Sequence, residues 1–415
     1  MLADSLYSVA IFTAIFARAF AKDARNFAVN HFYGNGALSM GRMDPIISPG
    51  TAAAHSHAIQ GGSNFNLSMT DDALLDSECT SSLVDADKSN YWTPSLYFQH
   101  PNGSFLSVPM FYMNVYYFFE PTDDEIKPFP VGLRMFVGNT SLRTPPPDGA
   151  ANVLVTNQGT IQPVQWTCPR TSFDIPSYPE DSDGMHGVGI QDPTNAGAGA
   201  GFPHMNCDGY ASPLRADIHF PSCYNPEAGI HAHETNMVFP GSEGSGSKAN
   251  CPPGWIHVPH IFYEVYWNTP LFEDMWIEGT GSQPFILSNG DRTGYSLHGD
   301  FVRIPLTTPE IIVFRASTNQ RKKNQISGWD EEVLQNIIDN CDAGDLGMDK
   351  CADAGFINDA STTCNIPNLV PEQIDGVLDK LPGNNPPTGW GQGMEVIPTR
   401  GMKRHFRVHK SGLRA

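Results

Sequence analysis

The chain has 415 residues, including 34 Pro and 39 Gly, with 17% charged side chains and a formal net charge of −19. Prolines at this density interrupt helices, so a turn-rich β architecture in one large or two ordinary domains is expected. So acidic a surface repels phosphate and excludes a nucleic-acid binder.

Reading from the N-terminus, an apolar run from Leu6 to Phe16 precedes Ala19-Phe20-Ala21. This small-x-small pattern predicts a signal peptide over residues 1–21 and a secreted, extracellular protein. No apolar stretch reaches the roughly 20 residues that a membrane span needs. Residues 22–301 read as a β-rich core with long loops. Phe111–Phe119, Gly132–Val137 and Ile261–Trp267 are aromatic or apolar runs of strand type. Ser182–Ala200 and Gly241–Lys248 are Gly-rich and read as loops. A helix is predicted from Trp329 to Asn340, capped by Asp330, and a second short one from Pro371 to Leu381. Residues 326–385 thus form a short helical C-terminal appendage of the same domain. A tail, 386–415, follows; its basic cluster from Arg400 to Arg414 reads as a solvated terminus. The fold class expected is mainly β, with a β-sandwich or jelly-roll-like core.

Eight cysteines agree with an oxidising compartment: Cys79, Cys168, Cys207, Cys223, Cys251, Cys341, Cys351 and Cys364. They are expected to pair, with one bridge closing a short loop among the last three. Asn66, Asn102 and Asn139 head glycosylation sequons.

Four constellations carry possible chemistry. His55 and His57 alternate, so on a strand both imidazoles face one ligand or metal; the plainer alternative is polar histidines that hold turns. His298 and Asp300 alternate likewise, after a Gly-rich stretch containing Asp291. There a carboxylate orients an imidazole or completes a metal shell, or else the acids cap tight turns. Glu264 follows His257 and His260 among aromatic neighbours, which suits a raised pKa or a solvated strand face. Asp217 and His219 share a face on a fourth segment. The chain has no G-x-S-x-G elbow, H-E-x-x-H, Walker loop or dinucleotide fingerprint. Lys22 is not a histidine, which argues against a copper brace built on an N-terminal histidine.

These segments resemble, in order, a secreted fungal and bacterial family known only as a domain of unknown function, number nineteen-ninety-six. The resemblance rests on Gly41-Arg42-Met43-Asp44-Pro45-Ile46, His55-x-His57, Asp87–Pro94 and Gly132-Leu133-Arg134-Met135. It continues through Phe220-Pro221-Ser222-Cys223, His257-Val258-Pro259, Gly290–Tyr295, His298-Gly299-Asp300-Phe301 and Gly328-Trp329-Asp330. The family pattern implies two histidines three apart before an aromatic-Pro pair. Here His233 matches the first and Asn236 stands in place of the second, with His231 a substitute. The chain also carries an insertion, residues 302–325, relative to the pattern. Val302-Arg303 can be encoded by a splice donor and Gln325 by an acceptor, so an unspliced intron is one reading and a real surface loop the other.

The expectation is an extracellular enzyme acting on polysaccharide or cell wall, by hydrolysis or elimination, with a divalent metal as the possible cofactor. His55, His57 and His298 would be metal ligands or acid/base groups, and Asp44, Asp291 and Asp300 would orient them or supply the catalytic carboxylates. Arg134 would neutralise a substrate acid, and Tyr91, Trp92 and Tyr295 would contact sugar. A non-catalytic wall-associated or glycan-binding protein is the alternative, and a copper-dependent oxidase the third reading.

Overall fold

A computed structural model describes residues 26–33, 36–69, 77–119, 122–168, 184, 198–203, 207, 214–241, 248–275, 283–303, 328–361 and 363–389. The expected signal peptide, nearly all of the Ser182–Ala200 and Gly241–Lys248 loops, the body of the 302–325 insertion and the basic tail lie outside these residues.

Among the described residues, eighteen strands run in chain order. The first nine are β1 (Asn26–Phe32), β2 (Ser39–Gly41), β3 (His57–Gly61), β4 (Asn90–Pro94), β5 (Leu96–Gln99), β6 (Phe105–Ser107), β7 (Met110–Phe119), β8 (Arg134–Gly138) and β9 (Val164–Thr167). The rest are β10 (Ala198–Gly199), β11 (Arg215–His219), β12 (Cys223–Tyr224), β13 (Met237–Val238), β14 (Ile256–His257), β15 (His260–Trp267), β16 (Phe285–Leu287), β17 (His298–Val302) and β18 (Val377–Leu378). Every named pairing is antiparallel.

Two sheets make a sandwich. One has the order β1-β7-β15-β11-β9-β10, the other β2-β3-β4-β17-β8. Alternation divides each strand. In β15, Ile261, Tyr263, Val265 and Trp267 point inward, and His260, Phe262, Glu264 and Tyr266 point to the other face. The inward residues join Tyr91, Met135, Val137, Ile218 and Phe301 in one large core cluster. The sheets approach closely at Gly299. A Cβ there would lie 2.9 Å from Ile218 Cγ2, so only glycine fits. Tyr263 spans the gap and donates its hydroxyl to the Asp300 carbonyl at 2.9 Å. A second cluster, including Met43, Ile59, Trp92 and Val302, covers the outer face of the five-stranded sheet.

Helix α1 (Glu331–Asn340) is the predicted one. Its Asp330 cap accepts from the Glu332 and Val333 amides, and Leu334, Ile337 and Ile338 are buried. The helix expected over Pro371–Leu381 does not form. That segment holds only β18, and Gly376 adopts a φ of 74°, in the left-handed region that a helix cannot use. The cysteines form four disulfides: Cys79–Cys364, Cys168–Cys207, Cys223–Cys251 and Cys341–Cys351. The last closes the short loop expected. Val302, the first residue of the proposed insertion, ends β17 by pairing with Asn90 and Arg134.

Candidate metal centre

Register builds the site. His57 pairs with Gly41 on one side and Pro94 on the other. His298 pairs with Gly138, and continuing the β4–β17 register by two residues places it opposite Pro94. The row across the sheet therefore reads Gly41, His57, Pro94, His298, Gly138. Glycine at both ends and a compact prolyl between leave room for two imidazoles on one face. His55, just before β3, adds a third.

The three rings converge. His55 Nε2 lies 3.0 Å from His298 Nε2, and the His55 and His57 ring centroids are 4.4 Å apart. One nitrogen from each ring can be chosen so that all three lie within 4.8 Å of one another. Tetrahedral zinc with Zn–N near 2.05 Å would hold its ligands about 3.3 Å apart, close to the closest pair here. Burial is nearly complete, at 7% exposure for His55, 0% for His57 and 1% for His298.

Burial, first, sets protonation. It pushes His55 and His57 well below the usual imidazole range and His298 down to about 4. The neighbouring rings lower His55 and His57 further. All three are neutral, the form that ligates a metal. His298 Nδ1 lies 2.8 Å from the Ser296 carbonyl, which fixes the proton on Nδ1 and leaves Nε2 bare. Neither His57 nitrogen makes a well-formed hydrogen bond, although the Met43 backbone lies close enough to favour its charged form slightly. Satisfied core histidines do not leave both nitrogens bare, because an unmade buried bond costs about 1–3 kcal/mol.

Asp300 lies two residues along the same strand face. It is fully buried, and neither carboxylate oxygen has a partner. Burial, with Asp44 nearby, raises its pKa well above the carboxylate range, so it carries a proton. Asp44 accepts from the Ile46 and Ile47 amides at 3.0 Å. Burial raises its pKa, while those bonds and His233 lower it.

The remaining predicted residues have other places. Asp291 accepts from the amides and hydroxyls of Thr293 and Ser296, and so builds the turn whose Ser296 carbonyl orients His298. It positions the site without facing it. Arg134 donates to the Met69 carbonyl at 2.6 Å, anchoring chain. Tyr91 and Trp92 are both 0% exposed, so neither offers a face to a sugar; Tyr91 bonds to Asp87 and Tyr117 instead. Tyr295 packs with Ala150 and Ala200. Asn236 Nδ2 donates to the Arg134 and Ile230 carbonyls, a structural strap. Asn66, Asn102 and Asn139 are all at the surface. Asp217, His219, His260 and Glu264 sit on the other sheet, away from the histidine triad. A second group, Asp124, Cys251 and His257, is compact enough for a metal, but its sulfur is tied up in the Cys223 disulfide.

Sequence reasoning missed Arg143. Its guanidinium is held by the Thr140, Leu142 and Asn289 carbonyls and the Thr388 hydroxyl. Its charge lowers His55 and His298, so a fixed cation stands beside the triad. No motif marks it, because two of its partners, Asn289 and Thr388, come from segments distant in sequence. Ser296 had a visible signal, being two residues before His298 in the turn.

Fold and site thus define a disulfide-linked antiparallel β-sandwich with a buried all-imidazole cluster on the outer face of one sheet. The chain belongs to the family described as a domain of unknown function (DUF1996), whose model matches residues 44–303. No curated protein and no solved structure matches it.

Proposed function

We propose that the chain is an extracellular carbohydrate-active enzyme, a polysaccharide hydrolase or lyase, assisted by a divalent metal on His55, His57 and His298. The convergence of three neutral, buried imidazoles carries the reading. Three imidazole nitrogens are a ligand set that catalytic zinc takes, and an all-imidazole set also accepts copper. A metal there would polarise a substrate oxygen or a bound water. Protonated Asp300 would supply a proton, and Arg143 would favour developing negative charge. Four disulfides and three surface sequons support an oxidising, extracellular setting.

The depth of the triad favours one competing reading, a non-catalytic glycan-binding protein in which the metal is structural. Metal analysis of the purified protein, followed by a screen on plant and fungal polysaccharides, separates the two. About one metal per chain is expected, lost in His57→Ala and His298→Ala, with a polysaccharide-cleaving activity lost in parallel. A metal-free wild type, or cleavage unchanged in both variants, overturns the proposal. Stoichiometric metal without cleavage establishes the structural reading.

A further inference from the structure

The outer face of the six-stranded sheet carries a second constellation that the metal centre does not use. Register aligns His31, Asn114, Glu264, Asp217 and Gln165 in one row across five strands. Bonds run along it. His31 Nδ1 lies 2.9 Å from Asn114 Oδ1, and Asn114 Nδ2 donates to Glu264 Oε2 at 3.3 Å. Arg215 then bridges Glu264 at 2.7 Å and Asp217 at 2.5 Å. Tyr266 donates to the same Glu264 oxygen at 3.1 Å, and Tyr116 also bonds to this carboxylate. With so many donors, Glu264 is an anchor for its neighbours rather than a general acid. A sheet face of this kind, polar and fully cross-linked, holds its side chains in fixed positions.

Beside that row is an aromatic platform. Tyr112 and Tyr266 stack at 4.2 Å with planes 21° apart. Tyr33 and Phe111 both turn an edge toward Tyr112, with centroids 6.2 and 5.0 Å from it. His31 stacks under Tyr33 at 4.8 Å. Tyr33 and Phe111 are each 40% exposed, large rings left open to solvent beside the charged row. Exposed aromatics held rigid at low entropic cost, next to fixed hydrogen-bonding groups, mark a binding surface rather than a core defect.

We infer that this platform binds a neutral polysaccharide chain, with the exposed rings of Tyr33 and Phe111 stacking on pyranose faces and the Tyr33 hydroxyl meeting ring hydroxyls. Pyranose rings offer an apolar C–H face with a hydroxyl rim, which matches rings bordered by donors and acceptors. An apolar protein helix would gain nothing from the buried Arg215–Asp217–Glu264 group and would leave its charges to be desolvated. Two carboxylates face the single guanidinium, so no net positive charge is left for an acidic glycan. This site stands on its own geometry and does not depend on the metal centre.

Isothermal calorimetry on the full chain, with cellohexaose, laminarihexaose and polygalacturonate as probes, tests it. At least one neutral hexasaccharide is expected to bind, before and after EDTA treatment, with no binding of polygalacturonate. The double variant Tyr33→Ala/Phe111→Ala is expected to lose at least tenfold in affinity. Both positions are open to solvent, and an unchanged thermal midpoint confirms that the fold is intact; if the double variant is unstable, Tyr33→Ala alone decides. Absence of binding by both neutral hexasaccharides, equal affinity for polygalacturonate, or unchanged affinity in the variants overturns the proposal. Because binding is read without metal, its failure is distinguishable from failure of the metal reading.

Discussion

Asp87 sets a pH dependence that can be worked out from its surroundings. It is 0% exposed and accepts from Asn30 Nδ2 at 2.8 Å, Tyr91 at 2.5 Å and the Ser89 amide at 3.0 Å. Burial outweighs these bonds and raises its pKa to about 7. In the unfolded chain an aspartate titrates near 3.9. Between about pH 4 and 7 the folded state therefore binds the extra proton, and stability falls as pH rises through that window. A rise from about 3.9 to about 7 is worth about 4 kcal/mol. Asp87→Asn keeps the shape of the protonated acid and cannot ionise. Urea unfolding at pH 4.5, 6 and 8 should show the wild type losing stability relative to the variant. The variant is expected to lead at pH 8 by about 3 kcal/mol, after allowing about 1 kcal/mol for an imperfect hydrogen bond. Groups other than Asp87 act equally in both proteins, so the difference isolates it. Parallel curves across the three pH values would refute this role for Asp87.

Three further outcomes are expected. Gly138→Ala forces a Cβ within 2.4 Å of the Leu297 carbonyl and 2.8 Å of His298 Cβ, at a φ of 99°. It should cost about 3 kcal/mol in denaturant unfolding and weaken metal retention, since it displaces His298 directly. Asp300→Leu removes a buried, unpartnered carboxyl. In metal-stripped protein it should raise stability by about 1–3 kcal/mol, and in metal-loaded protein it should abolish the proposed cleavage; a fall in the thermal midpoint of the stripped protein would count against the orphaned state of this group. Replacing Cys79 and Cys364 by serine opens a bridge of sequence separation 285 and should cost more, by about 3 kcal/mol from loop entropy, than opening Cys341–Cys351, of separation 10, as compared by midpoint shifts.

Much of the sandwich was readable because strand periodicity is local. The run Phe111–Phe119 lies within β7, and Ile261–Trp267 within β15. The His55 and His57 pair was also legible from its spacing, whereas His298 joins it only through the register of β3, β4 and β17. What alternation cannot tell is which face is covered. Tyr91 and Trp92 sit on β4, inside a sheet covered on both faces, so an aromatic pair that suggested sugar stacking is core. Glu264, which its own segment leaves open between an acid and a solvated face, is buried in a bonded row. Its row of partners comes from β1, β7 and β11, and cross-strand register is not a property of any one segment. Asp291 reads as a catalytic acid only until its four turn bonds are seen.

The two sites lie on opposite outer faces of the sandwich, and this constrains how they could cooperate. Packed sheets are about 10 Å apart, and outward side chains on both sides put the histidine triad and the Tyr33 platform roughly 20 Å from one another through the core. One straight glycan chain cannot lie on both. With both proposals in place, the platform would hold the protein on an insoluble polymer and raise the local concentration of chain ends or neighbouring chains at the triad. If both readings hold, Tyr33→Ala/Phe111→Ala should reduce cleavage of an insoluble polysaccharide at least tenfold more than cleavage of a soluble oligosaccharide of the same linkage. Equal losses on the two substrates would mean that the platform contacts the chain being cleaved, and would require that chain to bend around a sheet edge, which a straight glycan cannot do.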